Sequence, residues 1–484
     1  MRLRPKPVLW TLLLLILLAW AAMGAWHVHK PLPAGLDTAT AWMPAEDVAF
    51  LTDVTYTAID GERRTDQAIF DEILRLVRGA EHVLVLDMFL FNDFAGETGN
   101  DHRPLSRELT EALLERKAAR PDLDILLITD PVNSVYGSHA PDHLAALDAA
   151  GIEVVLTDLT RLRDPNPLWS GLWRLCCRWM EPEPGNGWLP NPLGDGKVSL
   201  ASLMRLLNVK ANHRKTVIAD HDGRWVGLVT SANPHDASSR HGNVALRFSG
   251  PAVPDLLDTE TAVARMSGVE PLEVSLPTTS PAPPVEDDGE GELRVLTEAA
   301  IRDALIERIG SARRGEMLDL AMFYLSHRGV IEALVAAHGR GVKLRVLLDA
   351  NRDAFGREKD GIPNRPVGME LHRAGIPVRW CHTEGEQCHS KILLHRETGG
   401  RATLLLGSAN FTRRNLDNYN LETNVEWRAD DDHPAMLDAT RFFETRWGNG
   451  RQALHSLPFE AFADDSTWRY WRYRLMEATG LSAF

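Results

Sequence analysis

The sequence predicts an α/β protein built from two copies of one unit, behind an N-terminal membrane helix. Three observations lead there. Helix-like and strand-like segments alternate along the chain, an order that favours parallel strands with helices on their faces. The same order recurs in the second half with matching local sequence. A long apolar run stands near the start of the chain.

The chain opens MRLRPKPVLWTLLLLILLAWAAMGAW, in which Arg2, Arg4 and Lys6 precede apolar residues from Val8 to Trp26. That run matches the ~20 residues needed to cross a bilayer. A basic flank stays on the cytoplasmic side, which sends the body of the chain across the membrane. Ala19, Ala21, Ala22 and Gly24 also suit a cleavage region. Residues 1–27 are therefore expected as a transmembrane anchor or a signal peptide, with the body in the periplasm in either case. His27 to Ala45 reads as a tether.

The first unit is expected over residues 45–267. Ala68–Arg78 has helical spacing of Ile69, Ile73, Leu74 and Val77, and HVLVLDMFLF (82–91) is an apolar run of strand length. A helix near Leu105–Ala118, a strand at DILLITD, a helix at His143–Ala150 and a strand at IEVVLTD follow. The second unit, 293–484, repeats them: AIRDALIERIGSA, MLDLAMFYL, GVIEALVAAHGRGVKLRVLLDA and LHRAGIPVRWC. Met88-Phe89 matches Met322-Phe323, and AAGIEVV matches RAGIPVR. Between the units, 268–292 is rich in Pro and acid and reads as a linker. Residues 161–205 form a Trp-rich insertion with no counterpart in the second unit. Its Leu168, Leu172, Leu175 and Trp179 stand at helical spacing, which suits a membrane interface or packing on the body or on another subunit. The C-terminal TWRYWRYRLMEA reads as an amphipathic helix packed on the body.

The 484 residues are too many for one ordinary core. A net charge of −14 disfavours a general nucleic-acid binder, because a phosphate backbone rewards a basic surface. The four cysteines, Cys176, Cys177, Cys381 and Cys388, fit no zinc spacing, and an exported chain can hold them as thiols or as bridges.

The chemistry lies in NHRKTVIAD (212–220). Residues two apart on a strand share a face, so His213 and Lys215 project together. An imidazole beside an ammonium is poor packing and good anion chemistry. CHSKILLHRE repeats the pair as His389 and Lys391. Each pair is followed by a related turn: VTSANPH with Ser231 and Asn233, and LGSANFT with Ser408 and Asn410. The histidine-to-serine separations are 18 and 19, and Asn243 and Asn420 each lie 12 beyond their serine. One HxK arises by chance; two with the same sequel form a strong signal. Burying both lysines for structure alone is costly without an anion.

These motifs resemble the phospholipase D superfamily, whose signature is HxK, four residues, Asp, then a G(S/G)xN element. The resemblance covers about residues 45 to 450. The first copy matches through Asp220 but has Thr230 in place of the glycine. The second has Gly407 but carries Arg396 in place of the aspartate, with Glu397 beside it. Glu422 fits a later N-x-E element, where the first half has Ala245. The resemblance implies duplicated αβα sandwich domains with mixed, largely parallel sheets, and one active site where the halves meet.

A phosphodiester gains charge on its equatorial oxygens when attacked, and two lysines and two asparagines supply donors for it. One histidine attacks phosphorus; the other protonates the leaving alcohol and then activates water or a second alcohol. The scheme needs no metal or cofactor. The resemblance favours His213 as nucleophile and His389 as acid and base, with Lys215, Asp220 and Lys391 in support. Ser231, Asn233, Ser408, Asn410 and Glu422 are expected to bind substrate.

The anchor and the insertion favour a phospholipid substrate at a membrane: hydrolysis, or transfer of a phosphatidyl group as in the cardiolipin synthase branch that NHRKTVIAD resembles. HSKILL and GSANFT look similar to the nuclease branch, which keeps an exported nuclease as the second reading. A non-catalytic scaffold is the third, and it predicts erosion of one motif copy. The expected place is the outer face of a bacterial-type inner membrane.

Overall fold

The computed structural model describes residues 5–94, 102–270, 290–354, 357–450, 453–482 and 484. Helix α1 is Pro5–His29. The first half then supplies strand β1 (Glu46–Ala58), helix α2 (Ile69–Gly79), β2 (Val83–Met88), α3 (Leu105–Ala119), β3 (Asp124–Thr129), α4 (Asp142–Ala149) and β4 (Glu153–Leu156). Helices α5 (Pro167–Cys176) and α6 (Leu200–Leu206) form the insertion, and β5 (Lys215–His221), β6 (Arg224–Thr230), β7 (Asn243–Ser249) and α7 (Ala252–Met266) complete the half. The second half runs β8 (Glu292–Thr297), α8 (Ala299–Ser311), β9 (Met317–Met322), α9 (Arg328–Gly339), β10 (Lys343–Leu348), α10 (Asn364–Arg373) and β11 (Val378–Cys381). It ends with β12 (Lys391–Arg396), β13 (Arg401–Gly407), β14 (Thr423–Asp430), α11 (Pro434–Gly448) and α12 (Thr467–Thr479).

The duplication is visible in the strand orders. The first sheet runs β1-β7-β6-β5-β2-β3-β4 and the second β8-β14-β13-β12-β9-β10-β11. Both sheets are mixed, as expected, but parallel pairing is confined to β2-β3-β4 and β9-β10-β11. The other neighbours in these orders pair antiparallel, so the expectation of largely parallel sheets is corrected. The reason lies in the connections. Helical crossovers link the parallel strands, whereas β5 and β6 are joined by Asp222-Gly223 alone. Both residues have positive φ, 51° and 71°, which suits a tight hairpin and forces antiparallel pairing.

Helices α2 to α4 build one core on the first sheet, and α8 to α10 build another on the second. A third core lies between the sheets, where Ile218, Val244 and Phe248 meet Ile392, Leu404 and Trp427. Edge strands are exchanged across the halves. Met43–Pro44 pairs with β8 of the second sheet, and Ala453–Leu454 pairs with β1 of the first. The segment read as a tether is thus a strap on the second half: Thr40 donates its N–H to Val295 O at 3.0 Å. Most of the expected linker, 271–289, lies outside the described residues, as do Arg2 and Arg4. The cysteines form two bridges, Cys176–Cys177 and Cys381–Cys388.

Candidate active site

His213 and His389 sit just before β5 and β12, each beside the carboxyl ends of its half's parallel strands. An aspartate past the middle parallel strand pins each approach. Asp130 accepts the N–H of Asn212 at 2.7 Å, and Asp349 accepts the N–H of Cys388 at 2.7 Å. The halves then clasp one another. His213 N–H donates to Leu421 O at 2.9 Å, and Gly242 N–H donates to Gln387 O at 2.9 Å.

Each imidazole is held by a residue of the other half. His213 Nδ1 lies 2.9 Å from Glu422 Oε2, and His389 Nδ1 lies 3.0 Å from Asn243 Oδ1. With Nδ1 occupied in each ring, Nε2 is the atom left for chemistry. The serines stand behind this arrangement. Ser231 Oγ donates to Asn243 Oδ1 at 3.0 Å, and Ser408 Oγ donates to Glu422 Oε2.

The lysines are fully buried, whereas His213 and His389 keep 8% and 6% exposure. Lys215 and Lys391 donate to the carbonyls of His213 and His389 respectively. Lys215 Nζ lies 4.7 Å from the Phe89 ring centre and Lys391 Nζ 5.0 Å from that of Phe323, so aromatic faces support both ammoniums. The repeated Met-Phe dipeptide of the sequence is this platform. Asn233 and Asn410 are also nearly buried; Asn410 Oδ1 is buried without a hydrogen-bond partner.

Burial dominates the electrostatics. It lowers Lys215 to about 7, and it lowers Lys391 well below the usual range with help from Lys215. Burial also lowers His213 to about 4, against the pull of Glu422. His389 is lowered further by burial, Lys391 and His241 and by the charges of Lys215 and His213, which places all four groups in one electrostatic neighbourhood. Burial alone would raise Glu422, but His213 and Lys215 outweigh it and hold the carboxyl below its usual range. The site thus gathers two histidines and two buried lysines, with Glu422 directly behind one histidine and Asp87, Asp130 and Asp349 acting on the lysines.

Three sequence expectations change. Asp220 does not join the histidines: it lies at the far end of β5, five residues and about 17 Å along a strand from Lys215. There it accepts the N–H groups of Glu81, His82 and Val83 at 2.9–3.0 Å and fixes the start of β2. Arg396, its counterpart, instead pairs with Asp319 at 2.7 Å. Second, Glu422, Ser231 and Ser408 position the histidines rather than facing a substrate, since their oxygens are engaged behind Nδ1. Third, the counterpart of Glu422 is Asn243, not Ala245. Ser231 N–H bonds Val244 O and Ser408 N–H bonds Thr423 O, so the returning segment is two residues shorter in the first half. Equal counting from the serines aligned Asn243 with Asn420 and concealed its role. Asp130 and Asp349 were also missed; the signal was an Asp at the same place after each repeated strand. Thr230 is accommodated by donating its hydroxyl to Val244 O at 2.9 Å, whereas a Cβ at Gly407 would lie 2.3 Å from Thr423 O.

Residues 305–447 match the family model described as cardiolipin synthase, PLD-like domain. Comparison with curated proteins gives no match. Among solved structures, phosphatidylserine synthase from Haemophilus influenzae Rd KW20 is similar with a TM-score of 0.52 at 10% identity, covering 95% of this chain and 98% of that one. Polyphosphate kinase from Porphyromonas gingivalis gives a TM-score of 0.44 at 15% identity over 85% of this chain and 52% of that one, so the chain spans about half its length. Nuc, a phospholipase D family member from Salmonella typhimurium, gives 0.27 at 21% identity over 34% of this chain and 99% of that one. Residues 305–447 thus match a phospholipase D-like domain, and the chain as a whole shares the fold of that phosphatidylserine synthase.

Proposed function

We propose that the chain is a membrane-anchored phosphodiesterase of the phospholipase D type, which hydrolyses or transfers phosphatidyl groups through a phosphohistidine. The observation that carries this reading is the pair of HxK histidines, each held at Nδ1 by the opposite half. The cardiolipin synthase description of the matching family model supports a phospholipid substrate. Helix α1, long and apolar enough to cross a membrane from Val8 to His29, supports anchoring; the basic residues Arg2, Arg4 and Lys6 of the sequence favour a periplasmic body.

His213 Nε2 attacks phosphorus. The bond to the leaving oxygen breaks, and His389 gives that oxygen its proton. Water or an alcohol then loses a proton to His389 and attacks, the P–N bond breaks, and His213 is restored. Lys215, Lys391, Asn233 and Asn410 stabilise the equatorial oxygens, and the phosphate adds negative charge that favours the ammonium forms of the buried lysines. The difference between the two Nδ1 partners supports the division of roles. Attack turns the nucleophile into a phosphoimidazolium, and the Glu422 carboxylate stabilises that cation. Asn243 is neutral and leaves His389 freer to give and take a proton.

The test is product analysis. The purified chain and its His389→Ala variant are given mixed-phospholipid vesicles containing phosphatidylglycerol, without added metal. Phosphatidic acid, cardiolipin or another exchanged lipid, absent with the variant, is the expected result. No lipid product from the unaltered chain would overturn the reading.

A further inference from the structure

Among the described residues, large exposed apolar side chains outside α1 are concentrated in the insertion and in α12. The insertion has the feature that identifies its partner. Helix α5 packs along α1. Trp20 Nε1 donates to Leu168 O at 2.8 Å, and a Cβ on Gly24 would lie 3.0 Å from Pro167 O. On the other helix, a Cβ on Gly171 would lie 3.1 Å from Gly24 N, so glycines on both helices permit the approach. Trp20 and Gly24 lie two to six residues before Trp26, the end of the apolar run. At the helical rise, α5 is level with the last ~10 Å of that run.

The two faces of α5 differ. Ser170, Gly171, Trp173 and Arg174 are buried against the rest of the molecule. Leu168, Leu172 and Leu175 are 57%, 46% and 40% exposed, and Trp179 just beyond is 73% exposed. The buried face is tied to the site. Arg174 and Lys210 both pair with Asp164, at 2.6 and 2.8 Å, and all three are buried. Lys210 stands three residues before His213. A cavity of about 240 Å³, lined among others by Tyr136, Leu159, Trp173 and Lys210, lies between α5 and this approach.

We propose that α5 is an interfacial helix lying in the same bilayer as α1, with Leu168, Leu172, Leu175 and Trp179 in the outer part of one leaflet, so that the site is held at headgroup level. The occupant is a phospholipid leaflet because α5 is continuous with a helix of membrane-spanning length, and because an interfacial helix buries an apolar stripe ~5–10 Å deep, beside Trp at the headgroups. This inference rests on the anchored reading of α1 given above. The reading explains why the Leu stripe faces outward although the opposite face packs well.

The test uses the full chain in phosphatidylethanolamine–phosphatidylglycerol vesicles, with an environment-sensitive fluorophore on one introduced thiol. The sites are Leu14→Cys in α1, Leu168→Cys in α5 and Ile59→Cys, an exposed position in the first half. Quenching by a lipid-borne nitroxide near the headgroup is expected at Leu168→Cys and not at Ile59→Cys, which iodide in water should quench instead. A Leu168→Cys label behaving like that of Ile59→Cys, with Leu14→Cys quenched by a deep nitroxide, overturns the inference alone. An unquenched Leu14→Cys removes the anchor and the inference together. None of these readings requires turnover, so failure of the lipid reaction is seen separately. A second readout is kinetic: Leu172→Gln with Leu175→Gln should raise KM on vesicles about tenfold and leave it unchanged on dispersed short-chain lipid. Equal effects on both substrates would contradict it.

Discussion

His213 Nδ1 and Glu422 Oε2 are 2.9 Å apart, although 209 residues separate them in the chain. One half supplies the imidazole and the other supplies its carboxylate. His389 has only the neutral Asn243 in that place.

Glu422→Gln keeps the shape and removes the charge that stabilises a phosphoimidazolium. The expected result is a fall in kcat of roughly 10²-fold with little change in KM. Asn243→Ala should act through His389 and shift the pH profile. Equal kcat in Glu422→Gln and the unaltered chain would remove the carboxylate from the mechanism.

Lys215→Met should abolish turnover, and its stability relative to the unaltered protein should rise as the pH falls toward neutral, because the variant has no buried amine to protonate. The sign follows from the proton. Lys215 is lowered from 10.5 to about 7 by burial. Above 10.5 it is neutral folded and unfolded, and the difference vanishes. As pH falls toward about 7 the unfolded chain takes a proton that the folded chain resists, so the unaltered protein loses stability relative to the variant. Thermal melts of both proteins across this range check it.

Sulfate remains a dianion across the same range and needs the ammonium forms of both lysines. Its binding therefore draws protons onto Lys215 and Lys391 above about pH 7, and affinity must fall as pH rises. Sulfate should raise the melting temperature at about pH 6 and lose that effect by about pH 9. A pH-independent shift would mean that the anion binds elsewhere.

Asp220→Ala should separate structure from chemistry. It frees three backbone N–H groups at the start of β2, so a loss of about 1–3 kcal/mol in stability is expected. kcat at a temperature where the variant stays folded should be near normal. A large fall in kcat with an unchanged melt would return Asp220 to the reaction.

The sequence made some of this plain and hid the rest for physical reasons. His213, Lys215, His389 and Lys391 were legible because period-two spacing puts each pair on one strand face and the pattern occurs twice. The Met-Phe repeats were legible as repeats, but their service beneath the lysines needed the third dimension. Asn243 was hidden by the shorter return segment, which breaks equal counting. The antiparallel strands had a readable signal in Asp222-Gly223, a two-residue turn that joins β5 to β6. The exchange of Met43–Pro44 and Ala453–Leu454 between sheets left no local pattern, because edge strands of two residues have no periodicity to detect. The Leu stripe of α5 was seen at helical spacing, and only its exposure beside α1 gives it a direction.

The central claim is that His213 carries the phosphoryl group and His389 moves the protons. A phosphodiester with a good leaving group needs no acid for the first step but still needs a base for the second. Intact-mass spectrometry of His389→Ala after mixing with p-nitrophenyl phosphocholine tests this directly. The account predicts a covalent adduct that maps to His213 and is absent from His213→Ala. An adduct on His389 in His213→Ala, or none in His389→Ala while nitrophenol is released at the normal rate, would contradict it.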